Sequence, residues 1–201
     1  MKPKQLNLDS KVVGVLNNFL IVQSTTNYGY TIYNCKKGWD VRLPFINEEI
    51  RWTELKIEEI GIVLTATVPI PGKIKKDGTY SNKIQCFLNF ITERVLEGSQ
   101  SNTIFDSIEV IGDKICTIVT TAEGETITEW FDSNSKRIVR IGTRKDDKYF
   151  KVYDYEQKKY IFEKALQIEC VKDLKTGNPV GLSVVYEIKE DKGMARVYFE
   201  F

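Results

Sequence analysis

Met194-Ala195-Arg196-Val197-Tyr198-Phe199-Glu200-Phe201 decides the fold class. Ala195, Val197, Phe199 and Phe201 fall on one side of an extended chain and Arg196, Tyr198 and Glu200 on the other, the two-residue period of a strand with one buried face. One hairpin earlier, Val184, Tyr186 and Ile188 repeat the pattern, and Glu190-Asp191-Lys192-Gly193 supplies turn residues between the two runs. The same punctuation recurs at Asn17-Asn18, Lys36-Lys37-Gly38, Asp77-Gly78, Glu123-Gly124, Asp132-Ser133-Asn134-Ser135, Asp146-Asp147 and Thr176-Gly177-Asn178-Pro179. Short β-branched runs lie between these turns, so the expectation is a mainly β chain of antiparallel hairpins, arranged as a meander, a curved sheet or a half-barrel.

Composition agrees. Ile and Val number 39 against 16 Leu and Ala, a balance that suits pleated, half-buried surfaces rather than a helical bundle. A chain of 201 residues can bury roughly 70% of its unfolded surface and needs no disulfide or metal to fold. It reads as a single domain, 1–201, with Gly98-Ser99-Gln100-Ser101-Asn102 as a point of possible subdivision near 98–102.

One stretch reads differently. Between Asn82 and Gly98 the apolar residues Ile84, Phe87, Leu88, Ile91 and Val95 follow helical spacing, with Asn82 and Gln85 as a capping pair and Gly98 as a stop. This spacing predicts one main helix at about residues 83–97. Residues 48–59 fit neither period, and residues 156–166 fit either a helix or the return strand of a hairpin.

Function is constrained first by what is missing. The chain has no histidine, which excludes Ser-His-Asp and Cys-His catalysis, histidine-bound zinc and histidine acid–base chemistry. Phosphate-cradling glycine motifs and calcium loops are absent. Cys35, Cys86, Cys116 and Cys170 lie too far apart for a CxxC pair or zinc-ligand spacing, so no metal and no cofactor is expected. The four cysteines read instead as small, buried, unpaired hydrophobes in apolar strands.

Charge argues against nucleic acid as a partner. The net charge is +1, with 13 basic and 10 acidic residues in 1–100 and 16 and 18 in 101–201. The basic clusters Lys36-Lys37, Lys73-Ile74-Lys75-Lys76, Arg137 with Arg140, and Arg144-Lys145 sit near turns and have acidic residues close by, as solvated loops do. No apolar run is long enough to span a membrane. The opening Met1-Lys2-Pro3-Lys4 leads into no signal-peptide core, so the chain reads as cytoplasmic, or extracytoplasmic where an export signal has been removed.

Aromatic residues supply the candidate contact surface. Tyr28, Tyr30 and Ile32 are expected on one face of a strand, and Tyr149, Lys151, Tyr153 and Tyr155 share a face of another. Tyrosine offers a large contact area with a polar tip, which makes Tyr28, Tyr30, Tyr149 and Tyr153 candidate partner-binding residues, although cross-strand pairing on a solvated face uses the same pattern. The reading that follows is a non-enzymatic protein-interaction module, an inhibitor or accessory protein acting through an exposed sheet face on a protein partner. A His-free, carboxylate-dependent glycosidase is an alternative, with acidic residues such as Glu125, Glu129 and Asp132 otherwise read as solvated edge charges.

A second alternative comes from a local resemblance. The segment from Ile108 to Arg144 runs through Ile115-Cys116-Thr117-Ile118, a Glu123-Gly124 turn, Trp130-Phe131-Asp132 and Arg137-Ile138-Val139-Arg140. It resembles the central meander of bacterial lipoprotein-carrier half-barrels, in which a Trp-x-Asp strand end leads through a tight turn into the next strand. The resemblance implies a curved sheet around an apolar cavity that holds acyl chains, helices across its mouth, and Trp130 as a ligand-binding residue for an apolar small molecule. Phe19-Leu20-Ile21-Val22 through Trp39 resembles the blade strands of a small β-propeller, which at about 40 residues per blade would give about five, although no repeat holds its period.

Overall fold

The computed structural model describes residue 6 and residues 8–75, 78–188 and 193–201. The opening residues 1–5, the side chains of the Lys73–Lys76 run, and parts of the turn signals at 77–78 and 190–193 lie outside the described residues. The chain forms two compact units, Met1–Leu96 and Glu97–Phe201.

The first unit holds two four-stranded antiparallel sheets, each a simple meander. One is built from β1 (Ser10–Leu16), β2 (Phe19–Ser24), β3 (Tyr30–Asn34) and β4 (Trp39–Asp40), the other from β5 (Glu54–Glu58), β6 (Gly61–Lys75), β7 (Gly78–Asn89) and β8 (Arg94–Val95). Phe19, Ile21 and Ile32 are buried from the first sheet, and Ile62, Leu64, Phe87 and Leu88 from the second.

The expected helix at 83–97 is not formed; its residues make most of β7, a turn, and β8. Ile62, Leu64 and Ala66 of β6 pair in register with Leu88, Cys86 and Ile84, so a long strand partner overrides the local helical spacing. The turn is fixed by Asn89, whose side-chain Oδ1 accepts the backbone N–H groups of Ile91 and Thr92 at 2.7 and 3.1 Å. Ile91, which a helix would have buried beside Leu88, is exposed.

The second unit is one eight-stranded antiparallel meander, open at both edges. Its strands are β9 (Ser107–Ile111), β10 (Lys114–Thr120), β11 (Glu125–Phe131), β12 (Arg137–Arg144), β13 (Phe150–Asp154), β14 (Lys159–Lys172), β15 (Pro179–Glu187) and β16 (Met194–Glu200). The alternation read in the last strand is realised: Ala195, Val197 and Phe199 turn inward while Arg196, Tyr198 and Glu200 are exposed, with Val197 opposite Val184 and Phe199 opposite Leu182. The ambiguous segment 156–166 is the return strand of a hairpin.

One face of this sheet coils around a shared core. Trp130, Val139, Ile141 and Val152 from the middle strands pack with Ala165, Leu182 and Val184 from the later ones, and the Trp130 and Phe201 rings meet with centroids 5.2 Å apart. The opposite face carries Ile115, Ile127 and Phe131 and the polar residues described below. Among the described residues the one helical turn is a 3-10 turn at Ser99–Ser101, and no helix is long and apolar enough to cross a membrane.

Candidate interaction face of the second unit

A single cross-strand row runs over the second face of the sheet. Register places Thr117 opposite Glu129, Glu129 opposite Arg140, Arg140 opposite Tyr153, and Tyr153 opposite Tyr160, crossing β10 to β14. Burial falls steadily along it: Thr117 and Glu129 are each 1% exposed, Arg140 and Tyr153 are half-buried, and Tyr160 is 49% exposed. The row therefore begins as a buried polar network and ends as an aromatic surface.

At the buried end, Glu129 corrects the expectation of a solvated edge charge. Its Oε2 accepts the backbone N–H of Ser99 at 2.8 Å, and its Oε1 accepts a short hydrogen bond from the Tyr155 hydroxyl. Arg137 donates to the carbonyls of Glu97 and Gly98 and lies with its guanidinium carbon 5.8 Å from the Tyr155 ring centre. Residues 97–102, which read as a linker, are thus strapped to the sheet. Gly98 has no side chain for a physical reason, since a Cβ there would stand 2.9 Å from Glu129 Oε2 and 3.0 Å from Phe105. Burial and then the Glu129 hydrogen bond hold the Tyr155 phenol well above its ordinary pKa, against the opposing pull of Arg137 and Arg140.

The other acids of this region also have structural partners. Glu125 reaches over Gly142 to pair with Arg140 at 3.3 Å, and a Cβ on Gly142 would meet that carboxylate at 2.6 Å. Asp132 caps its turn by accepting the N–H groups of Asn134 and Lys136 at 2.9 and 2.8 Å. Among the described residues no group of three or more Cys, Asp or Glu is placed to hold a metal ion.

At the exposed end the tyrosines cluster. The Tyr153 ring meets Tyr155 and Tyr160 edge-on, with centroids 5.1 and 5.2 Å apart. Tyr149 donates its hydroxyl to Glu187 at 3.1 Å and has the ammonium groups of Lys148 and Lys164 at 5.2 and 5.9 Å from its ring centre. Lys151 stands exposed between Tyr149 and Tyr153 on the same face. The structure therefore brings Tyr149 and Tyr153 onto one surface with Tyr155, Tyr160 and a set of cations.

Tyr28 and Tyr30 belong to the first unit and do not form a comparable face. Tyr28 is 64% exposed but precedes β3 with φ +56°, so strand alternation stops before it. Tyr30 shares its side of β3 with buried Ile32 and lines a groove of about 600 Å³ with Val41, Leu43 and Trp52. Trp130 is 6% exposed and packs on Phe201 in the core of the coiled sheet. The cysteines are all free, but only Cys86 is buried, with Cys35 and Cys116 part-buried and Cys170 exposed, a correction to the expectation of four buried thiols.

Sequence reading missed Tyr160 because residues 156–166 could be helix or strand. The signal was present in the Glu156-Gln157-Lys158 turn, which Asp154 closes by accepting the N–H groups of Glu156 and Gln157 at 2.8 and 3.2 Å, bringing Tyr160 back beside Tyr153.

No protein-family model matches the chain, and no curated protein does. Among solved structures, Kluyvelomyces marxianus Hsv2 aligns over 90% of this chain and 57% of its own at 11% identity and a TM-score of 0.28. Kluyveromyces lactis Hsv2 aligns over 98% of this chain and 87% of its own at 10% identity and a TM-score of 0.23. The chain thus spans little more than half the length of the first of these, and likeness at this level carries neither fold nor function across.

Proposed function

We propose that the chain is a protein-interaction module whose contact face is the outer side of β12 to β14, and that the segment it takes is acidic with apolar residues interspersed. The observation that carries this reading is the tyrosine cluster around Tyr153, half-exposed and held by edge-on ring contacts before any partner arrives. Rings fixed in advance lose little conformational entropy on binding, and tyrosine is among the residue types that dominate interface energies. Lys148, Lys151, Lys164 and Arg140 frame the rings; Lys148 pairs with Glu187 at 3.1 Å and Arg140 with Glu125 at 3.3 Å, which leaves Lys151 and Lys164. The spare charge of the face is positive, which complements an acidic partner and favours fast encounter.

The row's buried end supports the same reading. Glu129, Tyr155 and Arg137 lock β11, β12 and the 97–102 strap together beneath the cluster. A rigid platform of this kind suits recognition. Its carboxylates are each committed to a structural partner.

A photo-reactive residue placed at Lys151 tests the proposal against a control at Lys172, exposed near the end of β14. The expected result is a protein adduct formed from position 151, absent from position 172, and lost when Tyr153→Ala is added. Equal adducts at both positions, or an adduct indifferent to Tyr153, would overturn the reading.

A further inference from the structure

The first unit carries a second feature that the tyrosine face does not use. A cleft of about 520 Å³ lies between the edge strands β4 and β8, lined by Trp39 and Asp40 of the one and by Arg94 and Val95 of the other, with Arg42 also in its lining. Trp39 is 59% exposed, whereas Trp52 and Trp130 are each 6% exposed, so this is the indole the fold leaves open.

The indole is held in place by its surroundings. Buried Asn34 closes the turn before it, accepting the Lys37 N–H at 2.9 Å and donating to Glu93 at 3.2 Å. Glu93 also accepts from Asn18 at 3.2 Å and pairs with Lys37 at 2.6 Å, and Lys37 stands 5.7 Å from the Trp39 ring centre. The Lys37 hydrogen bond holds the Glu93 carboxyl below its ordinary pKa, so this pair is internally satisfied.

The cleft's remaining charge is different. Among the described residues the side chains of Arg42 and Arg94 are exposed and make no hydrogen bond or ion pair, while Asp40 carries an interaction of its own. With Lys37 and Glu93 cancelling, the lining keeps two guanidiniums and one carboxylate around a space of ligand size. A guanidinium pair matches the oxygens of a phosphate by bidentate hydrogen bonding, and the exposed Trp39 indole in the same lining offers a stacking surface to a flat ring.

We infer that this cleft binds a nucleotide-type small molecule, an aromatic ring stacked on Trp39 with its phosphate held between Arg42 and Arg94. The site lies wholly in the first unit and is independent of the interaction face proposed for the second.

Titration of the full chain with AMP, followed by tryptophan fluorescence and by calorimetry, tests it. Saturable quenching of the solvent-exposed component of the emission is expected, with adenosine and inorganic phosphate each binding at least tenfold more weakly than AMP. Arg42→Ala combined with Arg94→Ala should weaken calorimetric binding at least tenfold, and Trp39→Leu should remove both quenching and most of the affinity. All three side chains are exposed, so unchanged melting temperatures are expected and separate lost binding from lost fold. No saturable binding at millimolar AMP, phosphate binding as tightly as AMP, or affinity unchanged in the folded variants would overturn the inference.

Discussion

The Tyr155 hydroxyl donates its hydrogen bond to Glu129, a carboxylate 1% exposed on the sheet face, and with the Ser99 N–H supplies polar contacts that make its burial tolerable. Removing the donor leaves a buried oxygen unpaired, which costs more than the bond itself is worth. Tyr155→Phe, which keeps the ring and removes only the hydroxyl, should lower unfolding stability by about 1–3 kcal/mol in urea titration. An unchanged midpoint would mean that the Glu129 network does not hold the sheet.

The replacement of the expected helix by a hairpin is open to a direct comparison. In the strand pairing Leu88 is fully buried and Ile91 exposed in the turn. Leu88→Ala should therefore cost about 2–5 kcal/mol and Ile91→Asp about 0.5 kcal/mol or less. Comparable large losses at both positions would restore the helical arrangement, in which the two share a face.

The thiols should separate by environment. Burial pushes the Cys116 thiol up to about 12 and holds the fully buried Cys86 still higher, whereas Cys170 is exposed on β14. Reaction with a thiol reagent at neutral pH should modify Cys170 well before Cys86 and Cys116, and Cys170→Ser should remove that early phase. Four thiols are expected in denaturant without reductant; fewer would indicate a disulfide.

Acid should weaken the fold partly through Asp173. Hydrogen bonds from the Thr176 backbone and side chain and from the Lys175 N–H hold its carboxyl below the ordinary value. Because the folded pKa is lower than the unfolded one, the unfolded chain binds more protons in the acid range, so this contribution is present above the unfolded value of about 3.9 and is lost as pH falls through the lowered folded value. Stability measured from pH 6 down to pH 2 should fall less steeply for Asp173→Asn than for the parent chain. Equal slopes would show that the turn does not depend on the charge.

Much of the second unit was legible in residue order. Ala195, Val197 and Phe199 alternate with charged and polar neighbours, and a strand with one wet face must bury the apolar set. Tyr149, Lys151, Tyr153 and Tyr155 were likewise placed on one face by period alone. What period could not supply was the partner strand: Ile84, Leu88 and Ile91 sit at helical spacing, and only the register against Ile62 and Ala66 settles them as strand and turn. Nor could it show that Glu129, an acid near a hairpin, lies beneath Tyr155 and Ser99, because that burial depends on the 97–102 strap folding back over the sheet. The Trp39 cleft needs two edge strands from different sheets, a juxtaposition no local pattern encodes.

The most direct test of the tyrosine face is the affinity of the partner captured at position 151 for the chain carrying Tyr149→Ala and Tyr153→Ala together. The double variant loses ring contacts of about 0.5–1.5 kcal/mol each and should remain folded by near-ultraviolet circular dichroism. An equilibrium titration should show binding weakened by roughly 30-fold or more, as truncation of central interface tyrosines costs about 2 kcal/mol or more. A folded double variant that binds the partner as tightly as the parent chain would contradict the account.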